Sequence, residues 1–192
     1  MIYAILINAV IALVTLVITF KAAKRYFTTL SNIFSALASL VLMVVEIVIL
    51  SRGGSMADLP VWAVLLKYTA TVSVTVTFLT VMAFLGPIYT YKSQLSGSGA
   101  WVHLAGPVLA VIAFGLLEKG MKLSFLQACL GMLPTLLYGV VYLYQVVVRG
   151  QEKGGWEDFY SFNRGGKWPI AFSAMVLGTA LICVLLTLFH NA

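Results

Sequence analysis

The chain has 192 residues, of which 61% are hydrophobic and only 9% are charged, and its mean hydropathy is +1.02. These values lie far outside the averages of soluble domains and indicate an integral membrane protein. The net charge of +6 comes mainly from the connections between apolar segments. It therefore reflects membrane topology, and no nucleic-acid partner is needed to explain it.

Six apolar segments are each long enough, or nearly so, to cross a bilayer. In lipid each segment must satisfy its own backbone hydrogen bonds, which favours helices. We therefore predict an all-α fold, a single domain of residues 1–192 built as a six-helix transmembrane bundle. The expected spans are residues 2–20, 31–50, 61–87, 101–117, 125–148 and 170–189.

Three of these spans admit a second interpretation. The first ends in Lys21-Ala22-Ala23-Lys24-Arg25 without a small-residue cleavage pattern, so we expect it to be retained and not removed as a signal peptide. Residues 69–77 alternate as a strand would, but in lipid their hydroxyls can bond to carbonyls one turn earlier, which favours a helix. The fourth span is short and contains Pro107, so five spans with a re-entrant fourth segment is the alternative.

Lysines and arginines in the connections predict the orientation. The connections after spans one, three and five hold eight of them, and the other two connections hold three. By the positive-inside rule the odd connections are cytoplasmic and both termini lie outside. The eight are Lys21, Lys24, Arg25, Lys92, Arg149, Lys153, Arg164 and Lys167, and the three are Arg52, Lys119 and Lys122.

This topology places three polar groups on one membrane face: the segment 28–32, His103, and the aromatic loop 155–163. Thr28 and Asn32 are four residues apart and share a helix face, and Glu46 falls on the same side five turns later. Small residues lie between them, so the stripe is expected to point into the bundle. It either lines a site or simply allows close helix packing.

Glu46 and Lys67 are the acid and the base that lie inside predicted spans, at similar depth on neighbouring antiparallel helices. We expect an intramembrane charged pair, which either locks two helices together or belongs to an ion pathway. Tyr138, Tyr142 and Gln145 share a face of the fifth span. They either bond neighbouring helices or form the wall of a cavity for an amphipathic substrate.

His103 lies four residues before Pro107. Because proline has no amide hydrogen, the turn at His103 is expected to be open, and a neutral imidazole there could accept a proton from a hydroxyl. The other histidine, His190, is predicted on the opposite face, so the two cannot share a metal or a haem. Neither a cofactor nor a metal site is therefore expected.

In order and spacing, three motifs resemble the prokaryotic six-span branch of the androgen-induced-gene and androgen-dependent-protein family. They are Tyr26-Phe27-Thr28 followed by Ser31-Asn32, the segment His103-Leu104-Ala105-Gly106-Pro107, and the aromatic loop after span five. Animal members of that family are membrane threonine hydrolases that cleave fatty acid esters of hydroxy fatty acids. The resemblance implies a bacterial plasma-membrane protein with a membrane lipid or amphipathic fatty-acyl substrate.

For individual residues, the resemblance implies Thr28 as the nucleophile and His103 as the general base. Alignment on the asparagine instead moves the nucleophile to Thr29. Asn32, or amides near Pro107, are candidates to stabilise an oxyanion, and Asp158 is the candidate to orient His103. The alternative to an ester hydrolase is a non-enzymatic transporter or scaffold that uses the Glu46–Lys67 pair.

Overall fold

The computed structural model describes all 192 residues and contains helices and no strands. The six long helices are α1 (Ile2–Thr19), α2 (Phe27–Ser51), α3 (Val61–Tyr89), α4 (Trp101–Leu117), α5 (Phe125–Arg149) and α6 (Trp168–Asn191). The all-α prediction is therefore confirmed, and the helix bounds agree with the expected spans to within a few residues at most ends.

Five of the helices, all except α4, are long and apolar enough to cross a membrane. Their outer surfaces carry exposed aliphatic side chains such as Val17, Leu137 and Leu177, as contact with lipid requires. The fold is thus an all-α membrane bundle. Helix α4 is an apolar helix of 17 residues and rises about 25 Å, somewhat less than the roughly 30 Å of hydrocarbon. A sixth crossing stays a prediction.

Helix α3 is the centre of the bundle. Half of its most apolar window is buried, against about a third in the other long helices, because it packs against α2, α4, α5 and α6. Tyr68 lies in the middle of this core, where its hydroxyl donates to the carbonyl oxygens of Ala128 and Cys183 at 3.0 and 3.1 Å. Its side chain thereby joins α3 to α5 and α6.

The alternating segment 69–77 is helical throughout. Its hydroxyls bond to carbonyl oxygens of the preceding turn: Thr71 to Lys67 at 2.9 Å, and Ser73 to Thr69 at 2.8 Å. The prediction that buried hydroxyls satisfy themselves in this way is confirmed. The alternation of hydroxyl-bearing and apolar residues in this segment therefore does not indicate a β-strand.

Two Gly-Pro pairs each follow a wide helical turn. The amide of Gly106 bonds to the carbonyl of Trp101, five residues earlier, and the amide of Gly86 bonds to Val81 in the same way. Pro107 and Pro87 lack amide hydrogens, so a regular ladder cannot be continued through them, and π-type turns take its place. The open turn predicted at His103 is confirmed, since it spans Trp101–Ala105.

The small polar stripe of α2 faces the interior, as predicted. Its buried members are Thr29, Ser31, Asn32, Ser35, Ala36, Ala38, Ser39, Leu42 and Glu46. Ser31 reaches α3, where its hydroxyl lies 2.8 Å from that of Thr77. Close packing of α2 on α1 and α3 depends on these small residues.

The connections after α1, α3 and α5 meet at one end of the bundle. The Phe27 amide donates to the Tyr160 hydroxyl at 3.0 Å, and the Tyr138 hydroxyl donates to the Arg25 carbonyl at 2.8 Å. The connection 150–167 is therefore folded over the start of α2. This end carries the predicted polar face.

Candidate active site

A cavity of about 320 Å³ opens at this end of the bundle. It brings together both residues predicted to do chemistry, Thr28 and His103, together with the alternative nucleophile Thr29. Thr28 is half-buried, whereas Thr29 is 7% exposed, so Thr28 is the more accessible hydroxyl. The full lining is Tyr26, Thr28, Thr29, Leu85, Tyr89, Gln94, His103, Phe159 and Tyr160.

The imidazole of His103 is oriented by the backbone. Its Nδ1 lies 2.7 Å from the carbonyl oxygen of Gln94, which can only accept a hydrogen bond. In a neutral ring Nδ1 must then carry the hydrogen, so Nε2 is left with a free lone pair. The wide turn at Trp101–Ala105 and the short helical turn Tyr91–Gln94 together set this geometry.

Asn32 lies beside the pair but is already fully bonded through its amide nitrogen. Nδ2 donates to the carbonyl oxygens of Thr28 at 2.8 Å and Val102 at 3.0 Å. An amide group has two hydrogens, and both are used here. Asn32 therefore ties the start of α2 to the start of α4, next to the two predicted catalytic residues, and has no hydrogen left for an oxyanion.

The first turn of α2 offers backbone donors instead. The amide of Leu30 donates to the carbonyl oxygen of Tyr26, the residue just before the helix. Tyr26 provides no side-chain cap for the amides that precede Leu30. The earlier amides, those of Thr28 and Thr29, belong to the set that a helix N-terminus leaves without intrahelical partners. Such amides form an anion-binding end of the helix, and here the threonines that carry them line the cavity.

Tyr160 closes the same corner. Its hydroxyl accepts the Phe27 amide hydrogen at 3.0 Å, and its side chain lines the cavity together with Thr28. Burial raises the pKa of Tyr160, against the opposing effect of its hydrogen bonds. The phenol therefore stays protonated at neutral pH, and its hydrogen is a further donor at the cavity.

Asp158 does not orient His103 in the structure. Its carboxylate accepts hydrogen bonds from the Tyr142 hydroxyl at 3.0 Å and from the amides of Phe162 and Asn163, both at 2.7 Å. The two amide contacts fold the aromatic connection back on itself, and the Tyr142 contact ties it to α5. Asp158 thus shapes the loop that carries Tyr160, and the Gln94 carbonyl takes the orienting role that the sequence assigned to Asp158.

A second, largely apolar cleft of about 350 Å³ lies beside the first turns of α2. Of the three residues predicted to line a substrate cavity on α5, Tyr138 lines this cleft, whereas Tyr142 and Gln145 line neither cleft. Tyr142 is buried in the aromatic loop cluster instead. The lining residues are Phe27, Leu30, Ser31, Phe34, Ser73, Pro134, Leu137, Tyr138, Val141 and Trp156.

Glu46 and Lys67 are both fully buried but are not bonded to each other. Lys67 lies 3.8 Å from Glu118, and the Asn8 amide nitrogen bridges Glu46 and Glu118 at 3.3 and 2.9 Å. The predicted pair is therefore part of a larger buried cluster. Neither Glu46 nor Lys67 lines either cleft, so the prediction that they form a substrate cavity finds no support there.

Three contributors were missed at the sequence level. The Gln94 carbonyl carries no sequence signal, because any residue has one. Tyr160 was noted only as part of an aromatic loop. Glu118 lies one residue beyond the predicted fourth span, and the only sequence signal for its burial is that it directly follows an apolar run.

Comparison of the chain with protein-family models, with curated proteins and with solved structures found no match.

Proposed function

We propose that the protein is a membrane-embedded hydrolase of a fatty-acyl ester, with Thr28 as the nucleophile and His103 as the general base. The observation that carries this proposal is the shared cavity of about 320 Å³ lined by both residues. It is supported by the 2.7 Å contact that leaves Nε2 of His103 as a proton acceptor. A threonine hydroxyl needs such a base to become an effective nucleophile.

In the proposed reaction Nε2 of His103 takes the Thr28 hydroxyl proton while the oxygen attacks the ester carbonyl carbon. The carbonyl becomes an oxyanion, for which the Thr29 amide, next after the nucleophile, and the Tyr160 hydroxyl are the donors. Collapse breaks the ester bond, and His103 returns the proton to the leaving alkoxide. A water molecule then attacks the acyl-threonine carbonyl carbon while Nε2 of His103 takes a proton from it, and His103 returns that proton to the Thr28 oxygen as the fatty acid is released.

The second cleft supports an acyl chain as the substrate's apolar part. Phe27 and Thr28 are consecutive, and the former lines the apolar cleft while the latter lines the polar cavity. An amphipathic molecule could place its chain in one and its ester in the other, as ligand sites that combine apolar walls with few polar groups do. Lipid esters reach such a site from the bilayer.

For orientation, we place the bundle end that carries the cavity on the cytoplasmic side of a bacterial plasma membrane, with both termini outside. The odd connections, which hold eight lysines and arginines against three in the others, meet at this end. The positive-inside rule then sets its direction. Cysteine accessibility labelling of single-cysteine variants on intact cells tests this placement.

The hydrolase proposal is tested by labelling the purified protein with a fluorophosphonate probe and mapping the adduct by mass spectrometry. We expect an adduct on Thr28 that is lost in Thr28→Ala and His103→Ala and partly kept in Thr28→Ser. Thr29→Ala is the matched control, which is expected to be labelled. Labelling that survives both Thr28→Ala and His103→Ala contradicts the proposal, and an adduct on Thr29 moves the nucleophile by one residue.

A further inference from the structure

A buried polar cluster lies away from the candidate active site, towards the opposite end of the bundle. Five side chains from four parts of the chain form it, and each is at most 1% exposed. Helix α1 contributes one, α2 two, α3 one, and the residue just after α4 the last. They are Asn8, Ser39, Glu46, Lys67 and Glu118.

The amino and amide hydrogens of this cluster can be counted. Lys67 Nζ donates to Asn8 Oδ1 at 2.6 Å and to Ser39 Oγ at 2.7 Å, and its third hydrogen has only Glu118 Oε1 nearby, at 3.8 Å. The two hydrogens of Asn8 Nδ2 go to one oxygen of Glu46 and to the same Glu118 Oε1. None of these hydrogens makes a hydrogen bond to the second oxygen of either carboxyl group.

One oxygen of each carboxyl group is consequently without a donor. Glu46 Oε1 and Glu118 Oε2 are buried and have no hydrogen-bond partner. Buried carboxylate oxygens without donors are costly, because the charge has been removed from water without compensation. The two groups are held on the same amide nitrogen, that of Asn8.

Other charged groups that face the carboxyl groups do not supply the missing hydrogen. His190, from α6, faces Glu118, but its two ring nitrogens lie 2.9 Å from the carbonyl oxygens of Phe114 and Met121. The amino group of Met1 makes no hydrogen bond to Glu46, whose one bonded oxygen accepts from Asn8. Neither His190 nor the Met1 amino group therefore supplies a hydrogen to the two unpaired oxygens.

We propose that Glu46 and Glu118 form a buried proton-binding site, in which the pair of carboxyl groups holds one proton. One added proton removes one of the two buried negative charges, so that a single carboxylate remains to balance the Lys67 cation, which lies 3.8 Å from Glu118. Two carboxyl groups in close quarters commonly share a proton in this way, because both cannot ionise together at low cost. The site is independent of the proposed hydrolase.

A proton fits this site better than a metal cation does. Sodium, calcium or magnesium ions require several oxygen ligands, and only two unpaired carboxyl oxygens are present. Lys67 and the Asn8 amide hydrogens occupy the remaining space around the carboxyl groups. The arrangement therefore supplies positive groups where a metal ion would need oxygen atoms.

Infrared spectroscopy of the purified full-length protein in detergent tests the proposal directly. At neutral pH we expect the C=O stretch of a protonated carboxyl group, which disappears as the pH is raised. Glu46→Gln and Glu118→Gln should each remove it, because the glutamine amide supplies the missing hydrogen. Glu152→Gln, at an exposed position, is the matched control and should keep it.

Thermal unfolding provides a second readout. The folded protein then holds one proton more than the unfolded chain, whose carboxyl groups are ionised at neutral pH, so rising pH should lower the melting temperature. Glu46→Gln should flatten this dependence. A wild-type spectrum at neutral pH without a protonated carboxyl band, a band kept in both single variants, or a melting temperature raised by sodium ions but unaffected by pH would each overturn the proposal.

Discussion

His103 is held by Gln94, whose carbonyl oxygen lies 2.7 Å from the imidazole Nδ1. The contact requires the chain to turn tightly between them, and Gly99 is the residue that permits it. A Cβ at Gly99 would collide with the Gln94 carbonyl and would lie 3.7 Å from the same imidazole nitrogen. The backbone of this turn therefore positions the proposed base.

Gly99→Ala should accordingly displace the Gln94 carbonyl and release the imidazole. We expect fluorophosphonate labelling to slow by about tenfold or more, since shifts of about 1 Å at a catalytic group can cost that much. The control is Ser98→Ala, one residue earlier, whose side chain is exposed. Equal labelling rates in the two variants would show that this contact does not orient the base.

Tyr160→Phe removes the acceptor of the Phe27 amide and a proposed oxyanion donor together. We expect a loss of about 1 kcal/mol in stability, the usual cost of a lost helix cap or buried hydrogen bond. The fluorophosphonate labelling rate of Tyr160→Phe should be about tenfold below that of the wild type when both are measured at temperatures that give the same folded fraction. Tyr144→Phe is the control, because Tyr144 is 54% exposed. Unchanged labelling in Tyr160→Phe would remove the phenol from the mechanism.

Asn32 distinguishes a structural tie from an oxyanion donor. Because its amide hydrogens are used by two carbonyl oxygens, Asn32→Asp places a carboxyl group against two acceptors and should destabilise the bundle more than Asn32→Ala does. We expect losses of about 1–3 kcal/mol for the alanine variant, measured by thermal unfolding. A slower labelling rate in Asn32→Ala with unchanged stability would instead favour the oxyanion role.

The apolar cleft can be filled without touching the proposed catalytic residues. Val141 lines the cleft and Val140, its neighbour, does not, while both are partly exposed. Val141→Trp should slow hydrolysis of long-chain esters by about tenfold and leave short-chain esters nearly unaffected, as expected when an acyl pocket is shortened. Val140→Trp should alter neither. Parallel loss for both chain lengths would argue against an acyl chain in this cleft.

Lys67→Met tests the energetic weight of the buried cluster. Removing the cation leaves Glu46 and Glu118 without their positive neighbour in a buried site, for which we expect a loss of about 3–5 kcal/mol. Lys122→Met, at an exposed position, should change stability by less than about 0.5 kcal/mol. Thermal unfolding of both variants checks this. A Lys67→Met protein as stable as the control would show that the carboxyl groups need no cation.

The helices were accessible from the sequence because lipid imposes a simple rule. Apolar segments of about 20 residues become helices that satisfy their own backbone, and even the strand-like residues 69–77 obeyed it. The open turn at His103 was predictable too, since Pro107 lacks the amide hydrogen that a regular turn needs. Local chemistry fixes each of these features.

The partners of individual side chains were much less accessible. Glu118 and Asn8 are hydrogen-bonded although they are 110 positions apart in the sequence, and no local sequence pattern predicts such a contact. Asp158 looked suitable for His103 because both were placed on one face, but its oxygens accept from two amides of its own loop and from the Tyr142 hydroxyl of α5. Two residues on the same membrane face need not bind each other, since each can find a nearer hydrogen-bond partner.

The wide turn at Trp101–Ala105 makes the direction of His103 depend on chain length as much as on residue type. A π-type turn contains one residue more than a regular turn, and each residue of a helix rotates the next by about 100°. Deleting one residue from this turn would point the imidazole to a different side of α4 while preserving every side chain that lines the cavity. Aligned sequences that keep Thr28 and His103 but lack that extra residue would therefore contain both residues without placing both side chains at one cavity.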